Sequence, residues 1–118
     1  MTGIARWLRQ AGEMETALKL FRRAIGAGLP DDLLFHTLWD VAALERKLGN
    51  GEAALAVWSD LAAARNPFRV RALEEAAKHY EHRAKDYPLA LKATRAALEF
   101  ADSPDLRRRE QRLIRRLS

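Results

Sequence analysis

Residues 49–67, GNGEAALAVWSDLAAARNP, decide the fold, because residues 12–30, GEMETALKLFRRAIGAGLP, show the same pattern. A third and looser copy, KDYPLALKATRAALEFADS, occupies residues 85–103. An Ala-Leu pair stands at the same place in each copy: Ala17-Leu18, Ala54-Leu55 and Ala90-Leu91. The pairs are 37 and 36 residues apart, and a fixed period of about this length is typical of proteins built from stacked helix pairs.

The apolar residues recur every three or four positions, which predicts helices and no strand. Leu18, Phe21 and Ile25 show this spacing in the first copy, and Leu55, Trp58 and Leu61 show it in the second. Glycine, proline and asparagine separate the periodic segments. To within a few residues, the predicted helices are 3–11, 13–27, 31–48, 51–65, 68–85, 87–101 and 104–117.

Residues suited to capping stand before several of these helices. Asp31 or Asp32, Asn50, Asp86 and Ser103 carry side-chain oxygens that can accept hydrogen bonds from first-turn amides. Pro104 follows Ser103 at a first-turn position that needs no amide donor. The local signals therefore agree with the periodicity.

The composition excludes several classes of protein. With 118 residues and 48% hydrophobic residues, the chain can bury one core without metals or disulfides. It has no cysteine, and charged residues interrupt every apolar run before the roughly 20 residues that span a bilayer. The N-terminus lacks the apolar core of a signal peptide. We therefore expect a cytoplasmic protein.

The small and aromatic positions of the repeat resemble those of the tetratricopeptide family. The family's turn glycine corresponds to Gly12 and Gly49, and its alanine at the close approach of two helices corresponds to Ala17, Ala54 and Ala90. Its aromatic position corresponds to Phe21 and Trp58, and its second small position to Ala24 and Ala97. Three positions depart from the family pattern, because Leu61 replaces the second alanine, Thr94 the aromatic and Lys85 the turn glycine. The third repeat, which carries two of these departures, is the weakest match.

The resemblance implies an all-α, right-handed superhelix, an α-solenoid of about three antiparallel helix pairs. We expect a single domain with repeats at about 1–30, 31–67 and 68–103 and a capping helix at 104–118, whose apolar stripe is Leu106, Leu113 and Leu117. The first repeat is short at its start, which predicts a fragment of a longer protein, either monomeric or weakly self-associating through that end.

In tetratricopeptide proteins the concave face of the superhelix binds extended peptides. The positions that match this face are Arg6, Arg9, Gln10, His36, Trp39, Arg46, Lys47, Glu75, His79, His82 and Arg83. Most of them are basic, and cations can clamp carboxylates by charge-assisted hydrogen bonds. The leading hypothesis is a protein–protein interaction scaffold for an acidic segment. The alternative is that these residues form an ordinary solvated surface.

A narrower resemblance involves residues 76–100, AAKHYEHRAKDYPLALKATRAALEF, and the ending LRRREQRLIRRL. Both are similar to the C-terminal helical region of bacterial YprB-like proteins, which join an RNase H-like exonuclease domain to tetratricopeptide repeats. The acidic metal-binding motifs of such a nuclease are absent from these residues. This resemblance implies an accessory region of a larger nucleic-acid enzyme.

The net charge of +5 leads to a second hypothesis, nucleic-acid binding by the last helix. Its arginines are Arg107, Arg108, Arg109, Arg112, Arg115 and Arg116. No aromatic residue lies among them for base stacking, so a capping helix with a solvated arginine face is the competing interpretation.

Neither a metal nor a cofactor is predicted. Glu75, His79, His82 and Asp86 are spaced along one helix face, but metal sites in helical bundles draw ligands from several helices. Carboxylates and histidines are otherwise scattered, without a phosphate-binding loop or nucleophile motif. We expect no catalytic residues and no enzymatic activity.

Overall fold

The computed structural model describes residues 2–118, with side chains from residue 9 onward. Over this range the chain forms helices joined by short loops and contains no strand. The helices are α1 (Thr2–Ala27), α2 (Asp31–Lys47), α3 (Gly51–Ala62), α4 (Arg69–His82), α5 (Tyr87–Leu98) and α6 (Pro104–Leu117). The prediction of an all-α protein is confirmed.

The start of the chain differs from the prediction. Separate helices at 3–11 and 13–27 with a turn at Gly12 are wrong, because α1 runs without a break from Thr2 to Ala27. The described glycines with a positive φ are Gly28 and Gly49. A glycine without that backbone conformation weakens a helix by about 1 kcal/mol but does not end it.

We therefore expect Gly12→Ala to raise the free energy of unfolding by about 0.5–1 kcal/mol, because alanine is the better helix former. A Cβ atom at Gly12 would meet no atom within 4 Å. Chemical denaturation followed by circular dichroism measures the change. The matched control is Gly49→Ala, which places a Cβ at a φ of 83° and should destabilise. Destabilisation by Gly12→Ala would instead indicate a turn at this position.

Of the four predicted helix caps, those at Asp86 and Ser103 are confirmed, the one at Asp31 or Asp32 is wrong, and the one at Asn50 stays a prediction. The Asp86 carboxylate accepts a hydrogen bond from the Leu89 amide at 3.1 Å, and the Ser103 hydroxyl accepts one from the Leu106 amide at 3.4 Å. At α2 the capping residue is Pro30, so Asp31 and Asp32 lie in the first turn without a capping bond. In the first turn their negative charges interact favourably with the positive end of the helix dipole.

The turns after α2 and α4 each contain a residue in the left-handed conformation, but their hydrogen bonds differ. After α2, the Gly49 amide donates to the Arg46 carbonyl at 3.0 Å and the Asn50 amide donates to the Glu45 carbonyl at 2.8 Å. This pattern is the Schellman motif, with Gly49 in the left-handed conformation. After α4, the Asp86 amide donates to the Tyr80 carbonyl at 2.8 Å, and Lys85 has a φ of 54°. That hydrogen bond spans six residues instead of five, so the turn after α4 is not a second Schellman motif, although Lys85 shares the left-handed conformation of Gly49.

We expect Lys85→Gly to stabilise the protein by about 1 kcal/mol, because a side chain is unfavourable in the left-handed conformation. Lys92→Gly is the matched control, since Lys92 is an exposed residue inside α5. There the same change should cost about 1 kcal/mol. Thermal and denaturant unfolding measure both. Equal destabilisation by the two variants would contradict a left-handed turn at Lys85.

The chain divides into two compact units, Met1–Val57 and Trp58–Ser118, so the division falls inside α3. In the first unit α1 packs against α2, and Leu18, Val41 and Ala42 are buried. In the second unit α4 packs against α5, and α5 against α6. Each unit thus has helix-to-helix packing of its own.

Small residues dominate the buried positions of α4 and α5. The buried alanines are Ala72, Ala76 and Ala77 in α4 and Ala90, Ala93 and Ala97 in α5. Alanines let two helices approach closely. Thr94 lies fully buried among them, and its hydroxyl donates to the Ala90 carbonyl at 2.8 Å, which satisfies the buried polar group. This contact explains how a threonine fits where the repeat pattern has an aromatic residue.

The other repeat positions differ in burial. Ala54 and Trp58 are buried, whereas Ala17, Phe21 and Ala24 are only half-buried. Of the stripe predicted for α6, Leu106 and Leu113 are buried and Leu117 is 45% exposed. The side chains at the small and aromatic positions are therefore more deeply buried in the second and third repeats than in the first.

Candidate binding surfaces

The net positive charge of the chain comes from its second unit. Residues 1–57 contain seven basic and seven acidic residues, so their net charge is zero. Residues 58–118 contain fourteen basic and nine acidic residues, which gives the entire +5. An anionic partner is therefore attracted chiefly to the second unit.

In the first unit, the residues predicted to bind a partner are mostly exposed. Arg9 is 82% exposed and lies 4.0 Å from Glu13, and His36 lies 3.5 Å from Asp40. Trp39 is half-buried. Arg46 and Lys47 are exposed in the last turn of α2. Their positive charges interact favourably with the negative end of the helix dipole. The side chain of Arg6 lies outside the described residues.

In the second unit, three predicted residues lie at the C-terminal end of α4. His79 is half-buried, while His82 and Arg83 are exposed. His82 Nε2 lies 3.6 Å from Glu81 Oε1, and Arg83 is the C-cap residue that follows α4. The structure thus places these three residues together. Their role as a binding surface stays a prediction.

Five of the six arginines of α6 that were predicted to bind nucleic acid contact groups of the protein itself. Arg107 pairs with Asp102 at 2.6 Å and Arg108 with Asp105 at 2.8 Å. Arg109 and Arg112 both pair with Glu81. Arg116 donates to the Tyr87 hydroxyl at 3.2 Å, and its guanidinium carbon lies 5.0 Å from the ring centre. Much of the charge on this helix is therefore compensated internally.

The most ordered charge arrangement is the Glu81 cluster, which consists of Glu81, Arg109 and Arg112. Arg112 donates two hydrogen bonds to the carboxylate, at 2.7 and 2.8 Å, and Arg109 donates a third at 2.5 Å. The Glu81 side chain is only 5% exposed, and that of Arg109 is 13% exposed. The cluster thus joins α4 to α6 through charge-assisted, bidentate contacts.

These contacts change the acidity of Glu81. The hydrogen bonds from Arg112 lower the pKa of its carboxyl, while burial opposes that shift, and Arg109 adds to the lowering. Because the ionised form is favoured in the folded state, this group stabilises the protein above its ordinary pKa of 4.5. That contribution is lost as the pH falls through the lower, folded-state pKa.

Sequence reasoning missed this cluster, although the repeat contains a signal for it. Glu45 lies 36 residues before Glu81, and each stands four residues before a left-handed turn residue. Glu45 is 6% exposed and Glu81 is 4% exposed. Arg22 of α1 donates to Glu45 at 3.4 Å, so each buried glutamate pairs with arginine from another helix. Aligning these two glutamates would have predicted a structural role.

Two of the four residues considered as metal ligands, Asp86 and Glu75, have other contacts. Asp86 caps α5, and Glu75 lies 3.3 Å from Lys78 Nζ. Among the residues whose side chains are described, no group of three or more His, Asp or Glu side chains is arranged to hold a metal ion. None of the described helices combines the length and apolar character needed to cross a bilayer.

Comparison with known proteins adds no relative. No protein-family model, curated protein or solved structure matches this chain. The resemblances to tetratricopeptide and YprB-like proteins therefore stay predictions that rest on the residues that carry them.

Proposed function

We propose that this chain is a tetratricopeptide-like solenoid that acts as a protein–protein interaction module, without enzymatic activity, and binds an acidic segment of a partner protein. The predicted binding residues at the end of α4, His82 and Arg83, carry the contacts, and those of α2, Arg46 and Lys47, form a separate candidate surface. The proposed setting is the bacterial cytoplasm, for which the lack of cysteine is suitable.

The observation that carries this proposal is the distribution of positive charge in the second unit. Arg109 and Arg112 are engaged by the buried Glu81, whereas Arg83 is exposed at the end of α4. An arriving carboxylate can accept charge-assisted hydrogen bonds from an exposed guanidinium without breaking a buried pair. Charge complementarity of this kind favours fast encounter and selects acidic partners.

Nucleic-acid binding through α6 is the second candidate, and it is favoured by the exposure of Arg115 and Arg116. Binding to phosphates there competes with the pairs that Arg107 and Arg108 make with Asp102 and Asp105. Such binding must also fall steeply with salt, because it depends on counterion release. Protein binding is therefore the first candidate function and nucleic-acid binding the second.

Fluorescence anisotropy with a labelled glutamate-rich peptide and a labelled single-stranded oligonucleotide separates the two candidates. We expect Arg83→Gln to weaken peptide binding by roughly tenfold, and Arg46→Gln with Lys47→Gln tests the α2 surface separately. The comparison variant, Arg115→Gln with Arg116→Gln, should leave peptide binding unchanged. Unaltered peptide affinity in the α2 and α4 variants would contradict the proposal, as would loss of binding only in the α6 variant.

A further inference from the structure

A shallow depression on α1 is lined by Thr16, Lys19, Leu20, Arg22 and Arg23, a set we call the α1 patch. Thr16, Lys19, Leu20 and Arg23 are spaced three or four residues apart, so they lie side by side on the helix surface. Leu20 is 58% exposed. The patch therefore offers one apolar side chain among three cations, and none of its described lining residues carries a carboxylate.

The cations of the α1 patch differ in their contacts. Arg22 reaches toward Glu45 at 3.4 Å, although 55% of its side chain stays exposed. Lys19 and Arg23 are exposed on either side of Leu20 along the helix. Two cations can thus pair with an incoming anion while the Arg22–Glu45 pair between α1 and α2 stays intact.

The structure assigns to the α1 patch a binding site for a short acidic segment of a partner protein, with one apolar side chain between carboxylates. The apolar side chain covers Leu20, and the carboxylates pair with Lys19 and Arg23. Cations around an exposed leucine complement such a segment better than a purely polar anion or an uncharged apolar helix. The inference rests on the proposed function only for the acidic character of the partner, since its residues are different.

The test uses two synthetic peptides that share a run of glutamates and differ at one central residue, leucine or serine. Isothermal titration with the whole chain should show the leucine peptide binding roughly tenfold tighter, the expected effect of burying one leucine side chain. Leu20→Ser should remove this preference. Lys19→Gln with Arg23→Gln should weaken both peptides by about tenfold.

The control variant is Arg65→Gln with Lys92→Gln, which removes two exposed cations that lie outside α1. It should bind both peptides like the parent protein, and circular dichroism should show unchanged thermal unfolding for every variant. Equal affinity for the two peptides in the parent protein would overturn the inference. Retention of the leucine preference in Leu20→Ser would also overturn it.

The same peptides separate this inference from the proposed function. If Arg83→Gln and the α2 variant bind normally while the α1 variants lose binding, the proposed function fails and the α1 patch stands. If the α1 variants bind normally while the others lose affinity, the α1 patch is wrong and the proposed function stands. The α1 patch would also be wrong if a single-stranded oligonucleotide displaced both peptides and the leucine peptide bound no tighter than the serine peptide.

Discussion

Glu81→Gln is expected to lower the free energy of unfolding by about 3 kcal/mol at neutral pH, because it leaves two partly buried guanidiniums without a counter-charge. Glu81 accepts three hydrogen bonds from Arg109 and Arg112, and its side chain is almost fully buried. Glutamine keeps the size of the side chain but offers one carbonyl oxygen and no charge. Guanidinium denaturation followed by circular dichroism measures the loss.

The same variant has a predicted pH dependence. The pKa of Glu81 is lowered by its hydrogen bonds to Arg112. Its charge therefore stabilises the parent protein fully above the ordinary value of 4.5 and progressively less at lower pH. The stability difference between parent and Glu81→Gln should be largest at neutral pH and shrink below pH 4.5.

Glu99→Gln provides the matched control, because Glu99 is an exposed carboxylate at the end of α5. Its effect should stay within about 0.5 kcal/mol. A small effect of Glu81→Gln, or one that stays constant down to pH 3, would show that the ion pairs of the cluster do not contribute to stability.

Ala90→Leu is expected to destabilise the protein by roughly 3 kcal/mol, because it adds three carbons to a helix interface without space for them. Ala90 is fully buried, in the same core as Ala72, Ala76 and Ala77 of α4. The larger side chain must push α4 and α5 apart or adopt an unfavourable rotamer. Denaturant unfolding measures the loss of stability.

Two further leucine substitutions calibrate this result. Ala56→Leu, at an exposed site in α3, should change stability by no more than about 0.5 kcal/mol. Ala17→Leu, at the half-buried equivalent in the first repeat, should have an intermediate effect. If Ala90→Leu were as mild as Ala56→Leu, the close approach of α4 and α5 would be wrong.

The sequence predicted the helices best where their ends are fixed by local chemistry. Asp86 and Ser103 cap α5 and α6 through residues three positions later, so neighbouring residues suffice to locate both starts. Gly12 was misleading because a glycine is compatible with a turn and with a helix, and its neighbours do not decide between them. Lys85 is the opposite case. It has the left-handed conformation of a turn residue, but lysine is not a residue type that predicts this conformation.

The candidate surfaces were harder to predict because their contacts join residues far apart in the chain. Arg109 and Arg112 follow Glu81 by 28 and 31 residues, so only the packing of α6 reveals that they are partners. The α1 patch was missed for a different reason. Leu20 falls within a strongly periodic apolar segment, and periodicity does not show which apolar residues stay exposed.

The most direct test of the proposed function is an affinity pull-down from bacterial lysate, with and without nuclease, using the intact chain and the Arg83→Gln variant. The proposal predicts that a discrete acidic protein stays bound after nuclease treatment and is lost with Arg83→Gln. If everything retained disappears with the nucleic acid, and Arg83→Gln changes nothing, the binding site lies on α6 and the proposal is contradicted.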